Sequence, residues 1–283
     1  MRRLPVTTHP LWLATPLAIA MGLFFLAPLG MMGVVSFYSD AAMSQWGSVE
    51  HWLKMFDAFG LSVLADTLWL GLQVTVLCLV MGYALAWVYV RLPSRWQPWV
   101  IFIVMLPLLT SVVVRTFAWI VILGRQGIVN HVLLDWGLID SPLKLLYTRG
   151  GLVVALANVQ LPLMVLPLIT ALQKVDHNLS DASASLGASE WQTFRRVTLP
   201  LSLPGIVAGC LLTFAAAITA FISQSLIGGG QMLFMPMYLY QQATALSNYP
   251  FAAAISITFL VTVILCVSLF NRLGRMSRGY VTT

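Results

Sequence analysis

Apolar residues fall in six long blocks, at roughly 11–37, 65–90, 98–123, 151–173, 203–227 and 250–271, and the segments between them hold nearly all the charge. A helix needs about 20 apolar residues to cross a bilayer, and each block supplies them. Lipid offers no partner to an unsatisfied backbone group, so each block is expected to be helical. Pro107, Pro162 and Pro167 predict kinks within these helices, with the freed carbonyls taken by neighbouring helices or water. The first block follows Met1-Arg2-Arg3, as a signal peptide would. It is much longer than the ~7–15 apolar residues of a cleavable signal, which predicts a retained span. The expected fold is all-α, a polytopic membrane protein of six transmembrane helices.

Composition supports a lipid solvent. The chain is 59% hydrophobic and 8% charged, against about 25% charged in ordinary soluble domains. The net charge of +6 does not indicate nucleic acid, because the basic residues are sparse and sit at the ends of apolar blocks. Their distribution predicts orientation. Arg2, Arg3, Arg91, Arg95, Lys174, Arg195, Arg196, Arg272, Arg275 and Arg278 share one side, while Lys54, Arg125, Lys144 and Arg149 occupy the other. Ten against four places both termini in the cytoplasm. Cys78, Cys210 and Cys266 lie singly in apolar blocks and read as small hydrophobes. The four histidines are scattered, and neither a metal-ligand spacing nor a nucleophile–base pattern appears. No phosphate-binding G-x-x-x-x-G-K-[ST] occurs. Ile227-Gly228-Gly229-Gly230-Gln231 reads as a turn after the fifth block.

The segment 174–200, KVDHNLSDASASLGASEWQTFRRVTLP, carries the most information. Asn178 is expected to cap a helix starting at Leu179, with Asp181 three residues on. Ala182, Ser183, Ala184 and Ser185 give that helix a slim face, and Gly187 ends it in a left-handed cap. Ser189 and Gln192 form a capping box for a second helix that runs through Trp191, Phe194 and Val197 and stops before Pro200. Two readings of this compact knob stand: a plug for a socket on a partner, or an amphipathic hairpin lying on lipid.

The spacing of this segment resembles the cytoplasmic EAA signature of the permeases of binding-protein-dependent ABC importers. Asp181-Ala182-Ser183 stand for Glu-Ala-Ala, followed in register by Gly187, Val197 and Leu199-Pro200. Asp for Glu, Ser for the second Ala and Val for Ile are departures, each conservative in size or charge. Leu186-Gly187-Ala188-Ser189 and Pro204-Gly205-Ile206 also look like the family. Across roughly 65–272 the chain is similar to spermidine/putrescine-type permeases, notably at Val113-Val114-Arg115-Thr116-Phe117 and Leu161-Pro162-Leu163-Met164-Val165-Leu166-Pro167. The resemblance implies a MetI-like type I core at 65–272, with residues 1–64 as an added helix and periplasmic loop and 273–283 as a cytoplasmic tail. It implies that Asp181, Ala182, Ser183, Leu186, Gly187, Ala188, Leu199 and Pro200 seat a coupling helix on a cytoplasmic ATPase dimer. That partner would use the ATP and Mg, and this chain would bind no cofactor itself. A second permease subunit, in a heterodimer, and a periplasmic substrate-binding protein complete the expected bacterial inner-membrane assembly.

For the cargo pathway the candidates are the polar and aromatic residues inside the spans: Arg115, Trp119, Asn158, Gln160, Phe221 and Gln224. Ionisable groups in lipid usually face a bundle interior or water, and amides there either line a cavity or bond neighbouring helices. For Arg115 the alternatives are snorkelling or a bond to a helix end. The outer segments hold Asp40, Glu50, Asp57, Asp66, Asp135 and Asp140 against four bases, a slight bias toward a cationic solute such as a polyamine. A secondary transporter or channel is the rival, and it predicts inverted repeats and midplane charges. An intramembrane enzyme is the second rival.

Overall fold

The computed structural model describes residues 10–278. Arg2 and Arg3, and the end of the expected tail from 279 onward, lie outside them. The helices in chain order are α1 (Pro10–Val35), α2 (Glu50–Met55), α3 (Ala58–Arg91), α4 (Gln97–Leu109), α5 (Val112–Leu123), α6 (Ile128–Asp135), α7 (Arg149–Leu172), α8 (His177–Ser185), α9 (Glu190–Thr193), α10 (Leu199–Ile218), α11 (Phe221–Gly228), α12 (Met235–Tyr240) and α13 (Tyr249–Arg278). Among the described residues six helical stretches are long and apolar enough to cross a membrane, counting α5 with α6 and α9 with α10. The number matches the sequence pattern, but two of the blocks are built differently.

The block 98–123 is two helices. Thr110 takes an extended backbone, ψ 149°, between α4 and α5. Pro107 has no N–H to donate to the preceding turn, and Thr110 turns its hydroxyl back to the Pro107 carbonyl at 3.1 Å. The block 203–227 is likewise broken. Ala220, at φ −74° and ψ 61°, makes an inverse γ-turn in which the Phe221 N–H reaches the Thr219 carbonyl at 2.8 Å. Apolar composition alone hides both breaks, because the residues that make them are small and uncharged.

Two compact units are present, one being the segment ending at Leu61 with Leu239–Leu260, the other Ser62–Tyr238 with the segment from Val261. In the larger unit α7 is central. Leu152, Ala155, Leu156, Met164, Val165 and Leu168 of α7 are buried with Leu70, Val74 and Cys78 of α3. Lipid tails are as apolar as leucine, so helices in a membrane associate through close packing rather than solvent exclusion. Here the close packing rests on glycine. Gly205 and Gly209, four residues apart on one face of α10, meet α7 directly. A methyl group at Gly205 would overlap Ala171 and the Pro167 carbonyl, and one at Gly209 would sit 2.7 Å from the Met164 sulfur and 3.1 Å from the Met164 carbonyl oxygen. Gly71 of α3 is pressed in the same way against Phe214 and Ile218 of α10. Cys78 and Cys210 are buried free thiols, and Cys78 donates to the Ala157 carbonyl at 3.3 Å.

In the smaller unit α1 is apolar all round and packs little of itself away, with Phe24 79% exposed, as expected of a helix solvated by lipid or by a partner. His51 of α2 is buried against the Phe251 ring, centroids 5.6 Å apart, and neither ring nitrogen has a hydrogen-bond partner of normal geometry. Burial holds its pKa below the usual histidine value, Lys54 lowers it further, and Glu50 opposes.

Two outcomes follow. Gly209→Leu should cost about 1–3 kcal/mol through overpacking, read as a lower thermal midpoint in detergent, while Gly150→Ala, with open space around it, should stay within about 0.5 kcal/mol. For His51 the unfolded chain binds the proton more readily than the folded one, so stability is full above pH ~6.5 and falls as pH drops below it. His51→Phe should flatten that part of the stability–pH curve.

Candidate functional site

The segment between α7 and α10 folds as a self-contained knob. Asp176, not Asn178, caps α8, its carboxylate accepting from the Asn178 N–H at 2.9 Å, so the helix begins at His177. Asp176 already has the extended backbone a cap requires, with ψ 126°. At the other end the Gly187 N–H reaches the Ala184 carbonyl at 2.9 Å and the Ala188 N–H the Ser183 carbonyl at 3.1 Å. This is the paired closure that needs a left-handed residue, and Gly187 stands at φ +79°. Ser189 and Gln192 form the reciprocal capping box, at 3.0 and 3.3 Å. The Ser183 and Thr193 hydroxyls, 2.8 Å apart, tie α8 to α9.

The expected stop before Pro200 does not occur. The chain passes from α9 through a π-helical turn, Phe194–Thr198, straight into α10. The Leu199 N–H reaches back five residues to the Phe194 carbonyl. The wider turn gives room to the ring of Pro200, which has no N–H to donate within this continuous run. The knob is therefore rigidly continuous with a span. Its surface is open: Asp181 and Ala182 are exposed, and Leu186 at the tip is 88% exposed.

Deeper in the same unit, the helices that follow the two breaks, α5 and α11, pack together. Thr116 of α5 and Ser223 of α11 share a buried hydrogen bond at 3.1 Å. Gln224, 1% exposed, donates from its amide to the Ala217 and Ile218 carbonyls at 2.9 and 3.3 Å, covering the end of α10, while its Oε1 is buried with no partner. Arg115 donates to the Thr110 carbonyl at 3.2 Å, capping the end of α4. The negative pole at the end of α4 favours the cation there, and the positive pole at the start of α5, where Arg115 itself sits, opposes it. Of the sequence candidates, Trp119 packs on the core and Phe221 opens α11. Gln160 is buried in α7, whereas Asn158 is exposed two positions before it, about 200° round the helix. Those two amides do not share a surface within this chain.

Sequence reasoning missed one polar cluster. Arg149, at the start of α7, binds Gln73 Oε1 at 3.1 Å, Asp66 Oδ1 at 3.0 Å and the Asp66 carbonyl at 3.1 Å. Asp66 is thus held in an ion pair and drops out of the acids that the sequence counted in favour of a cationic solute. The available signal was an acid and a base at the starts of the second and fourth apolar blocks.

Residues 78–277 match the family described as binding-protein-dependent transport system inner membrane component. The spermidine/putrescine transport system permease protein PotB of Salmonella typhimurium is 34% identical over 229 residues, covering 81% of this chain and 80% of that protein. Among solved structures, a bacterial ABC transporter involved in import of the acidic polysaccharide alginate superposes with TM-score 0.78 at 20% identity, over 94% of this chain and 95% of its own. A bacterial alginate ABC transporter in complex with an alginate pentasaccharide-bound periplasmic protein gives TM-score 0.75 at 20% identity, over 96% and 95%. At that identity the two structures share the fold.

The Thr116–Ser223 bond is directly measurable. A double-mutant cycle with Thr116→Val and Ser223→Ala should give a coupling of about 0.6 kcal/mol, the usual size for a hydroxyl pair between membrane helices.

Proposed function

The chain belongs to the family of binding-protein-dependent transport system inner membrane components, and from that premise we propose how it is driven and what it carries. It is a multi-pass inner-membrane protein, the permease subunit of an ABC importer, and not an enzyme. The ATPase is a separate subunit.

In our reading α8 and α9 are the coupling element, and both termini face the cytoplasm, as the distribution of Lys and Arg favours. Asp181, Ala182, Ser183, Leu186, Gly187 and Ala188 enter a groove of the ATPase, and Leu199 and Pro200 carry the motion into α10. The ATPase dimer binds ATP and Mg, and this chain takes no cofactor. The observation that carries the reading is the exposed Leu186 beside Gly187, on a knob that satisfies its own helix ends and runs unbroken into α10. Lipid docking of the α8 face is disfavoured, because that face also presents the exposed Asp181.

Closure of two ATPases draws two coupling elements together, and α10, locked to α7 by glycine contacts, tilts as one piece with it. The second element comes from a second, similar permease, and cargo is delivered by a periplasmic binding protein. The cargo in this proposal is a polyamine or related cationic amine, supported by the similarity to PotB and by the acids that remain unpaired on the outer segments. Arg115, Trp119, Asn158, Gln160, Phe221 and Gln224 are the proposed pathway residues, and the α4–α5 and α10–α11 breaks supply its polar lining.

The test is ATP-driven spermidine uptake into vesicles holding the assembled importer. Gly187→Trp should abolish uptake while ATP hydrolysis persists, or release the ATPase, because a bulky L-residue is strained at positive φ and fills the tip. Normal uptake with full ATPase retention would remove the coupling role. Uptake driven by an ion gradient without the ATPase would favour a secondary transporter.

A further inference from the structure

Val80, Tyr83, Ala84, Trp87 and Arg91 form one stripe of α3 and one wall of an open groove of about 570 Å³, faced by Glu190, Trp191 and Phe194. The walls are fixed by ring contacts. Phe194 meets Trp87 edge-on at 5.1 Å and Tyr83 at 5.7 Å, and it stacks with Trp191 at 5.4 Å. The Tyr83 hydroxyl lies 3.1 Å from that of Ser202. At the outer end the Arg91 guanidinium lies 3.6 Å over the Trp87 ring. Glu190 stands at the same end, one helical turn out from Phe194, as Arg91 is one turn out from Trp87. Both charges are exposed, and they do not pair with each other: the ion pair found among the described residues is Arg149–Asp66.

Length adds to the polarity. From Val80 to Arg91 the groove follows eleven residues of helix, about 16 Å, close to half of the ~30 Å hydrocarbon thickness. It therefore has a mouth with one charge of each sign, an aromatic neck, and an apolar floor about one acyl chain deep.

We propose that this groove binds one zwitterionic glycerophospholipid, its phosphate on Arg91, its ammonium on Glu190 and an acyl chain along Tyr83, Ala84 and Val80. Both headgroup charges are needed to match the unpaired Arg91 and Glu190, which sets an aminophospholipid apart from an anionic one. The bound lipid bridges α3 to α9 beside the π-helical turn and braces the junction between knob and spans. The site does not depend on which side of the membrane the termini face.

The experiment is photo-crosslinking of the assembled importer, in vesicles of phosphatidylethanolamine and phosphatidylglycerol, with phosphatidylethanolamine bearing a diazirine on one acyl chain. Adducts are mapped by mass spectrometry. They should concentrate in 80–91 and 190–194. Arg91→Ala should reduce them about tenfold, the scale of one charge-assisted contact. Ala84→Phe, which fills the floor and leaves both charges in place, should remove them. Glu190→Gln should equalise labelling by phosphatidylethanolamine and phosphatidylglycerol probes. The proposal is overturned if the two stretches carry no adducts, if Ala84→Phe labels like the unmodified chain, or if cross-linked peptides show a second permease or the ATPase occupying the groove.

Discussion

The approach of α10 to α7 through Gly205 and Gly209 is the contact on which the larger unit depends. In lipid no solvent-exclusion term holds two apolar helices together, so the gain comes from atoms in contact. Without side chains at these positions the backbones approach closely, and Met164, Pro167 and Ala171 fill the seam. The same two helices flank the knob. A seam at their ends nearest the knob makes them one mechanical body, so a displacement of α8 and α9 is not absorbed by sliding between α7 and α10. The π turn, by keeping α9 and α10 in one helical run, prevents a hinge where the sequence suggested one.

The helix breaks show how the membrane-embedded part tolerates irregular backbone. Each break exposes carbonyls that lipid cannot satisfy, and each is closed by a side chain of the same chain: Arg115 and Thr110 at one, Gln224 and Thr219 at the other. Arg115, the one charge well inside a predicted block, bonds across the break from the first turn of α5 to the Thr110 carbonyl. A structural role at the break is compatible with a pathway role, since the irregular backbone of transporters lies where helices line a cavity.

Much of this was legible in the sequence. Six apolar blocks gave the number of spans and the bounds of most of them, the offset from Asp181 to Pro200 gave the knob, and Gly187 and the Ser189–Gln192 pair were recognisable caps. What was not legible has physical causes. The breaks at Thr110 and Ala220 leave hydropathy almost unchanged, because Thr, Ser and Ala cost little in lipid. Asp176 and Asn178 are both good caps two residues apart, and only the backbone at 176 decides between them. Pro200 reads as a stop because sequence rules assume an α-helical turn, and a π turn relaxes that rule. The clamp of Arg149 on Asp66 and Gln73 joins residues more than seventy positions apart, beyond the reach of any local pattern.

The π turn at Phe194–Thr198 has one more consequence, and it concerns rotational phase. A π turn holds about one residue more than the α turn it replaces, so it offsets the azimuth of everything before it by roughly 100° relative to α10. The face that α9 turns outward is thereby uncoupled from the face that α10 turns toward α7. The five residues set the rotational offset between the exposed face of α9 and the side of α10 that meets α7.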